Sequence, residues 1–207
     1  MRRPVRRTLC IAALAIAVPA SAVLAGCSDD GAAGAASSAA APVAAAFTDG
    51  VVQGHDLAGF RAPAAQVLDL AGIASENDVS VAELRARGVV RQAVAKLSGP
   101  PQAFGISAVE ELASPARART EAARLLAANG SSEPGFTATP IAVPGIAGAK
   151  GARKAGRHDG QDFVAIEVTW AEGVMAHELF VLGRAGDISQ ADVLAAARAV
   201  SARGAGG

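Results

Sequence analysis

The apolar positions of this 207-residue chain change period along its length, and the changes mark its elements. Residues 163–170 alternate, so that Val164, Ile166, Val168 and Trp170 share one face of a strand. Glu172-Gly173 turns the chain back into residues 174–182, which are apolar on both faces and therefore predict a central strand. Residues 89–97 and 103–112 flank Ser98-Gly99-Pro100-Pro101, the loop of a hairpin. Within the second of these strands Phe104, Ile106 and Ala108 alternate toward a core. Residues 136–143 form a further extended stretch. Pro140 has no N–H to give to a ladder, which predicts an edge position.

Helices are announced by their caps. Ser80-Val81-Ala82-Glu83 is a capping box, Val79 and Leu84 are spaced as a hydrophobic staple, and Gly88 ends this short helix. Ser114-Pro115 opens a second helix, which runs through Ala122, Leu125 and Leu126 to Asn129-Gly130. Ser189-Gln190-Ala191-Asp192 opens a third, with Ile188 and Val193 as staple and Val193, Ala197 and Val200 on one face. Residues 50–60 read as a short strand or extended segment. Residues 63–71 read as a short helix with Pro63 in its first turn and Gly72 behind it. The order strand, strand, helix occurs twice, from residue 89 and again from residue 162. It predicts an α+β fold, an antiparallel sheet with helices packed on it, and suggests two strand–strand–helix units. The alternation of single strands and helices that a Rossmann-type domain requires is missing.

The N-terminus is organised differently. Arg2, Arg3, Arg6 and Arg7 precede an apolar run over residues 9–24, interrupted by Pro19 and too short to span a bilayer comfortably. It reads as a removable signal. Behind it stands Leu24-Ala25-Gly26-Cys27, which resembles the lipobox of bacterial lipoproteins. The resemblance implies cleavage between Gly26 and Cys27, a diacylglycerol on the Cys27 thiol, and residence on the extracytoplasmic face of the cell membrane. Two or more acyl chains hold a protein on a bilayer, whereas one binds reversibly. An ordinary secretory signal, cut after Ala22 or Ala25, is the alternative. Residues 28–46 are mostly Ala, Gly, Ser and Asp and cannot build a core, so they read as a disordered tether spanning roughly 25 Å on average. The expected organisation is a leader over residues 1–26, a lipidated Cys27 and tether over 27–46, and a single α+β domain over 47–207. Leu57-Ala58-Gly59-Phe60, the hairpin ahead of a Ser-Pro helix, and Val143-Pro144-Gly145 are similar to secreted actinobacterial lipoproteins of uncharacterised function. That likeness transfers no site residue beyond Cys27.

Charge and cysteine content narrow the function classes. The chain carries 19 basic and 19 acidic residues. Losing the four leader arginines leaves 15 against 19, a net of −4, which argues against a general nucleic-acid binder. Both cysteines, Cys10 and Cys27, precede the domain, so no disulfide is expected within it. His55, His158 and His177 stand at no metal-ligand spacing, and no metal or cofactor is expected. His177, between Met175 and Leu179 on a strand face, reads as a core histidine. His55-Asp56 could orient a proton transfer. Ser107 lacks the nucleophile-elbow glycines, and the Gly-rich run over residues 145–151 lacks the end of a P-loop. Glu110 and Glu111 are adjacent and would face opposite sides of a strand.

Lys150, Arg153, Lys154, Arg157 and His158 fall within nine residues of a Gly/Ala-rich loop. They suggest contact with anionic headgroups or an acidic envelope polymer, against the plainer reading of a solvated, mobile loop. The whole reads as a lipid-anchored envelope protein, a non-enzymatic binding or accessory module. Its expected partners are the membrane, through the lipid on Cys27, and an unidentified protein or apolar ligand, with no nucleic acid. An envelope hydrolase using His55 or His177 and a carrier of an apolar ligand are the alternatives.

Overall fold

The computed structural model describes residues 47–101, 103–130 and 135–204. The leader, the lipobox cysteine and the tether lie outside the described residues. Seven strands form one antiparallel sheet: β1 (Gln66–Leu68), β2 (Val89–Ser98), β3 (Phe104–Leu112), β4 (Phe136–Ile141), β5 (Lys150–His158), β6 (Gln161–Glu172) and β7 (Met175–Arg184). Their order is β1-β2-β3-β7-β6-β5-β4. Helices α1 (Leu70–Asn77), α2 (Val81–Arg87), α3 (Pro115–Gly130) and α4 (Gln190–Gly204) pack on it, which makes the fold α+β. The strand with two apolar faces, β7, lies at the centre, and β4 with its Pro140 lies at an edge.

The two strand–strand–helix runs are present, but their helices land on opposite faces. One face of β2, β3, β6 and β7 presents Ala93, Val109, Ile166, Val168, Trp170, Leu179 and Val181. Val193, Ala197 and Val200 of α4 cover it, together with Val51, Val52 and Leu57 from the N-terminal end of the domain. The other face presents Leu68, Val94, Ala108, Leu112 and Ala176 to Ile73 of α1, Leu84 of α2 and Ala118 and Ala122 of α3. These are called below the α4 face and the α3 face.

The caps act as the sequence indicates. Ser80 Oγ accepts from the Glu83 N–H at 3.0 Å, Leu84 is fully buried beside Val79, and Gly88 closes α2 with φ +83°. Ser114 and Ser189 cap α3 and α4 in the same way. The stretch 63–71 differs from expectation. Asp69, not Pro63, caps the helix: its carboxylate accepts from Gly72 N–H at 2.8 Å, which puts Gly72 inside the first turn. Residues just before it pair with β2 as the short edge strand β1. Residues 50–60 form no strand. They fold as turns whose apolar side chains are buried on the α4 face.

Two further expectations are corrected. In β3 it is Ser107 and Val109 that face the α4 core. Phe104 and Ile106 project on the α3 side, beyond the reach of its helices, and are 39% and 37% exposed. Only Ala108 of that trio is buried. The basic segment is no loop but strand β5, paired to β6 along its length and to β4 from Gly151 to Gly156. Its glycines have a steric use: a Cβ on Gly151 would stand 2.7 Å from Ile141 Cγ1, and one on Gly156 2.5 Å from the Phe136 ring.

Candidate functional site

Three polar constellations are built on the sheet. The first surrounds His177, at the centre of the α4 face. Its ring lies flat on Trp170, the residue opposite it on β6, with centroids 4.6 Å apart and planes 2° from parallel. Nδ1 stands 3.1 Å from the Gly50 carbonyl, which can only accept, so Nδ1 carries the proton. Burial holds the imidazolium form down to a pKa of about 4, against a smaller opposing effect of the Gly50 carbonyl. Nε2 is 3.8 Å from Glu172 Oε2, and the other Glu172 oxygen accepts from Ser201 Oγ at 3.0 Å. Serine, histidine and carboxylate are thus close, but in the wrong order for nucleophilic catalysis. The hydroxyl is bonded to the carboxylate and not to the ring.

The turns of residues 47–60 are fastened over this histidine. Val52 N–H donates to Ser107 Oγ at 3.0 Å. Arg203, in the last turn of α4, donates to the Asp49 and Val51 carbonyls and forks onto Asp56 at 2.9 and 2.7 Å. Burial opposes ionisation of Asp56, but hydrogen bonds from Arg203 and the Gln53 N–H prevail and lower its pKa. His55, with its side chain 80% exposed, only flanks this ion pair, 3.6 Å from Asp56. Asp56 is already spent on Arg203, so the His55-Asp56 pair is not assembled for proton transfer.

The second constellation lies under α3. Arg87 of α2 forks onto Glu121 of α3, Nη2 to Oε1 at 2.6 Å and Nε to Oε2 at 3.1 Å, and Arg124 joins the same carboxylate. Glu110 of β3 accepts from Gln92 Nε2 at 3.1 Å and lies 3.5 Å from Arg87. Two buried carboxylates share these guanidiniums, and they divide the roles. Burial pushes Glu121 up, but hydrogen bonds from Arg124 and Arg87 outweigh it and hold its pKa low. Burial, reinforced by the charge of Glu121, raises Glu110 to about 7. Glu110 is the proton holder of the pair. Glu111 turns away to Arg91, as neighbours on a strand must.

Glu121, Arg124 and Arg87 are the residues that sequence reasoning missed. A signal existed: Ala118, Glu121, Ala122 and Leu125 follow the i, i+3, i+4, i+7 spacing, which sets a glutamate inside the buried stripe of α3.

The third constellation is β5. The strand separates the basic residues that the sequence grouped. Lys154 faces the α3 side, 9% exposed, with Nζ 3.4 Å from the fully buried Glu167. Arg153 and Arg157 point to the opposite face and are exposed, and Lys150 is exposed at the start of the strand. His158 is exposed beside Asp159, with its ring edge-on to Phe163. Among the described residues no group of three or more His, Cys, Asp or Glu is placed to hold a metal ion, and no helix is long and apolar enough to cross a membrane. Cys27 lies outside the described residues.

No family model matches the chain, and no curated protein does. A solved structure to which it is similar is the extracellular domain of PknH from Mycobacterium tuberculosis, at 10% identity over 70% of this chain and 85% of that one, with a TM-score of 0.48. A likeness of that size carries no argument about the site.

Proposed function

We propose that the chain is a non-enzymatic binding module, held at the outer face of the cell membrane by diacylglycerol on Cys27. The anchor is supported by the lipobox, Leu24 to Cys27, behind a basic and apolar leader. Binding is favoured over catalysis by one observation above all: the groups best suited to chemistry are consumed by the fold. His177 donates a hydrogen bond from Nδ1 to the Gly50 carbonyl, stacks on Trp170 and is sealed under the turns that Arg203 fastens. A hydrolase built on His177 would need that ring open to substrate, and one built on His55 would need a free carboxylate beside it. The anchor is tested by expressing Cys27→Ser in a bacterial host. The variant should lose the diacylglycerol mass and leave the detergent phase; unchanged mass and unchanged membrane retention would contradict the anchor.

A carrier of an apolar ligand is the second reading, and the uncovered end of the α3 face favours it. Phe104 and Ile106 are exposed there, and the Phe180 ring lies 6.3 Å from that of Phe104. Displacement of a fluorescent fatty acid, lost in Ile106→Asp, would support this reading; no saturable binding would remove it.

A further inference from the structure

Outward-facing residues of β4 and β5 form a strip on the α4 side of the sheet, with an unusual choice of side chains. By register Thr139 stands opposite Arg153, Thr137 opposite Ala155, and Arg157 opposite Asp162 of β6. Both threonines and both arginines are exposed. A groove of about 440 Å³ opens on the β5 part of this strip, lined by Arg153, Ala155, Arg157, Asp162, Phe163 and Val164. Its charged lining is two arginines against a single carboxylate, Asp162.

The two arginines are in different states. Arg157 donates to the Gly160 carbonyl at 3.2–3.3 Å and lies 3.4 Å from Asp162, with both of those side chains 72% exposed. An ion pair so open to water is weak and exchangeable. Arg153 makes no hydrogen bond or ion pair with any described residue, though its neighbour Lys154 is paired on the other face. The contrast matters, because a planar guanidinium fork with no carboxylate on it among the described residues is matched to phosphate oxygens. Four residues of strand set the two arginines roughly 13 Å apart, so both can reach one ligand lying in the groove.

We propose that this groove binds a phosphodiester headgroup, that of an anionic lipid in the bilayer to which the chain is tethered. The lipid source rests on the anchored reading above; the anion-binding groove does not. On that anchored reading the 19 residues between Cys27 and the domain are chain enough for the strip to reach the headgroup layer. The small lining residue Ala155 leaves room for a glycerol unit between the arginines. The basic cluster seen in the sequence is thereby reduced to the part that can act. Lys154 is committed to Glu167, and Lys150 lies on the other face of the strand.

The test uses the full chain in a nonionic detergent, titrated by calorimetry with water-soluble glycerophosphoglycerol, and separately with mixed micelles containing phosphatidylglycerol or phosphatidylcholine. Saturable binding of glycerophosphoglycerol is expected. Arg153→Gln with Arg157→Gln should weaken it by roughly tenfold or more, while Lys150→Gln with Lys96→Gln, an equal loss of charge elsewhere, should leave it unchanged. Equal losses in both double variants would mean unspecific attraction and overturn the groove, as would no binding by the wild-type chain. Binding of glycerophosphoglycerol without preference for phosphatidylglycerol micelles would overturn the lipid source while supporting the groove. All four positions are exposed, and an unchanged melting temperature of each variant shows that binding and not folding is read.

Discussion

The two faces of the central sheet solve the same burial problem with opposite materials. On the α4 face the inward side chains of the strands and of α4 are mostly apolar, Ser107, His177 and Ser201 are neutral and hydrogen-bonded, and the charged groups, Asp56 with Arg203 and Glu172 with Ser201, belong to the turns and strand end that close it. On the α3 face Gln92, Glu110, Glu121, Lys154, Glu167 and Thr169 are all buried. The difference teaches where titration can occur inside this fold. A neutral histidine sealed in an apolar layer resists gaining a proton, whereas a carboxyl that is buried, and also faces a second carboxylate, resists losing one. Each face therefore has its own pH dependence, and the two have opposite sign.

The largest effect should come from the dry face. Trp170 is 1% exposed and carries the His177 ring. Trp170→Ala should cost about 3–5 kcal/mol, measured by denaturant unfolding, because it removes a large buried surface and the platform of the stack. A loss below about 1 kcal/mol would mean that this face can collapse around the gap and is not the packed layer described.

The pH dependence comes next. Glu110 is raised from 4.5 to about 7, so the folded state binds the extra proton, and its contribution is full below pH 4.5 and lost as pH rises through 7. His177 is lowered from 6.5 to about 4, so its contribution is full above pH 6.5 and lost as pH falls through 4. Each is on the order of 3 kcal/mol over its window. Between pH 4.5 and 6.5 the two oppose each other, and the wild-type stability should be nearly flat. Glu110→Gln should expose the histidine, with stability falling as pH falls. His177→Phe should expose the glutamate, with stability falling as pH rises. Parallel pH profiles for the two variants would break the comparison.

Glu121→Ala should follow, at about 2 kcal/mol, since it strands Arg87 and Arg124. The figure sits below that for a fully buried pair because both guanidiniums are partly exposed. The same variant should return Glu110 toward an ordinary carboxyl pKa, because it removes the nearest negative charge. The smallest effects belong to Phe104→Ser and Ile106→Ser, expected at about 1 kcal/mol because more than a third of each residue is already in water. A loss near 2 kcal/mol for either would show that the end of the α3 face is covered after all.

Local chemistry was the legible part of the sequence. Ser80, Gly88, Ser114 and Ser189 mark helix ends through bonds to backbone a few residues away, and such bonds depend little on the rest of the fold. Pro140 marks an edge for the same reason. What failed was whatever depends on partners distant in sequence. The alternation at Phe104 and Ile106 was real, but which face is covered is decided by where α1 and α3 end. Gly151 and Gly156 resembled loop residues, whereas each makes room for a side chain of β4. Asp69 outcompeted Pro63 as a helix start because β1 pairs with a strand more than twenty residues away. For the candidate sites, the cluster of basic residues was legible and its division by the strand was not. The carboxyl pair was missed because Glu110 and Glu121 come from different elements.

The most direct test of the central claim is a carbon-detected NMR titration that follows the Glu110 carboxyl and the His177 ring in one sample. Glu110 is expected to titrate near pH 7, with His177 neutral, protonated on Nδ1, down to about pH 4. Glu110 titrating near 4.5 and His177 near 6.5 would contradict the account, since neither face would then be shaping the charge it buries.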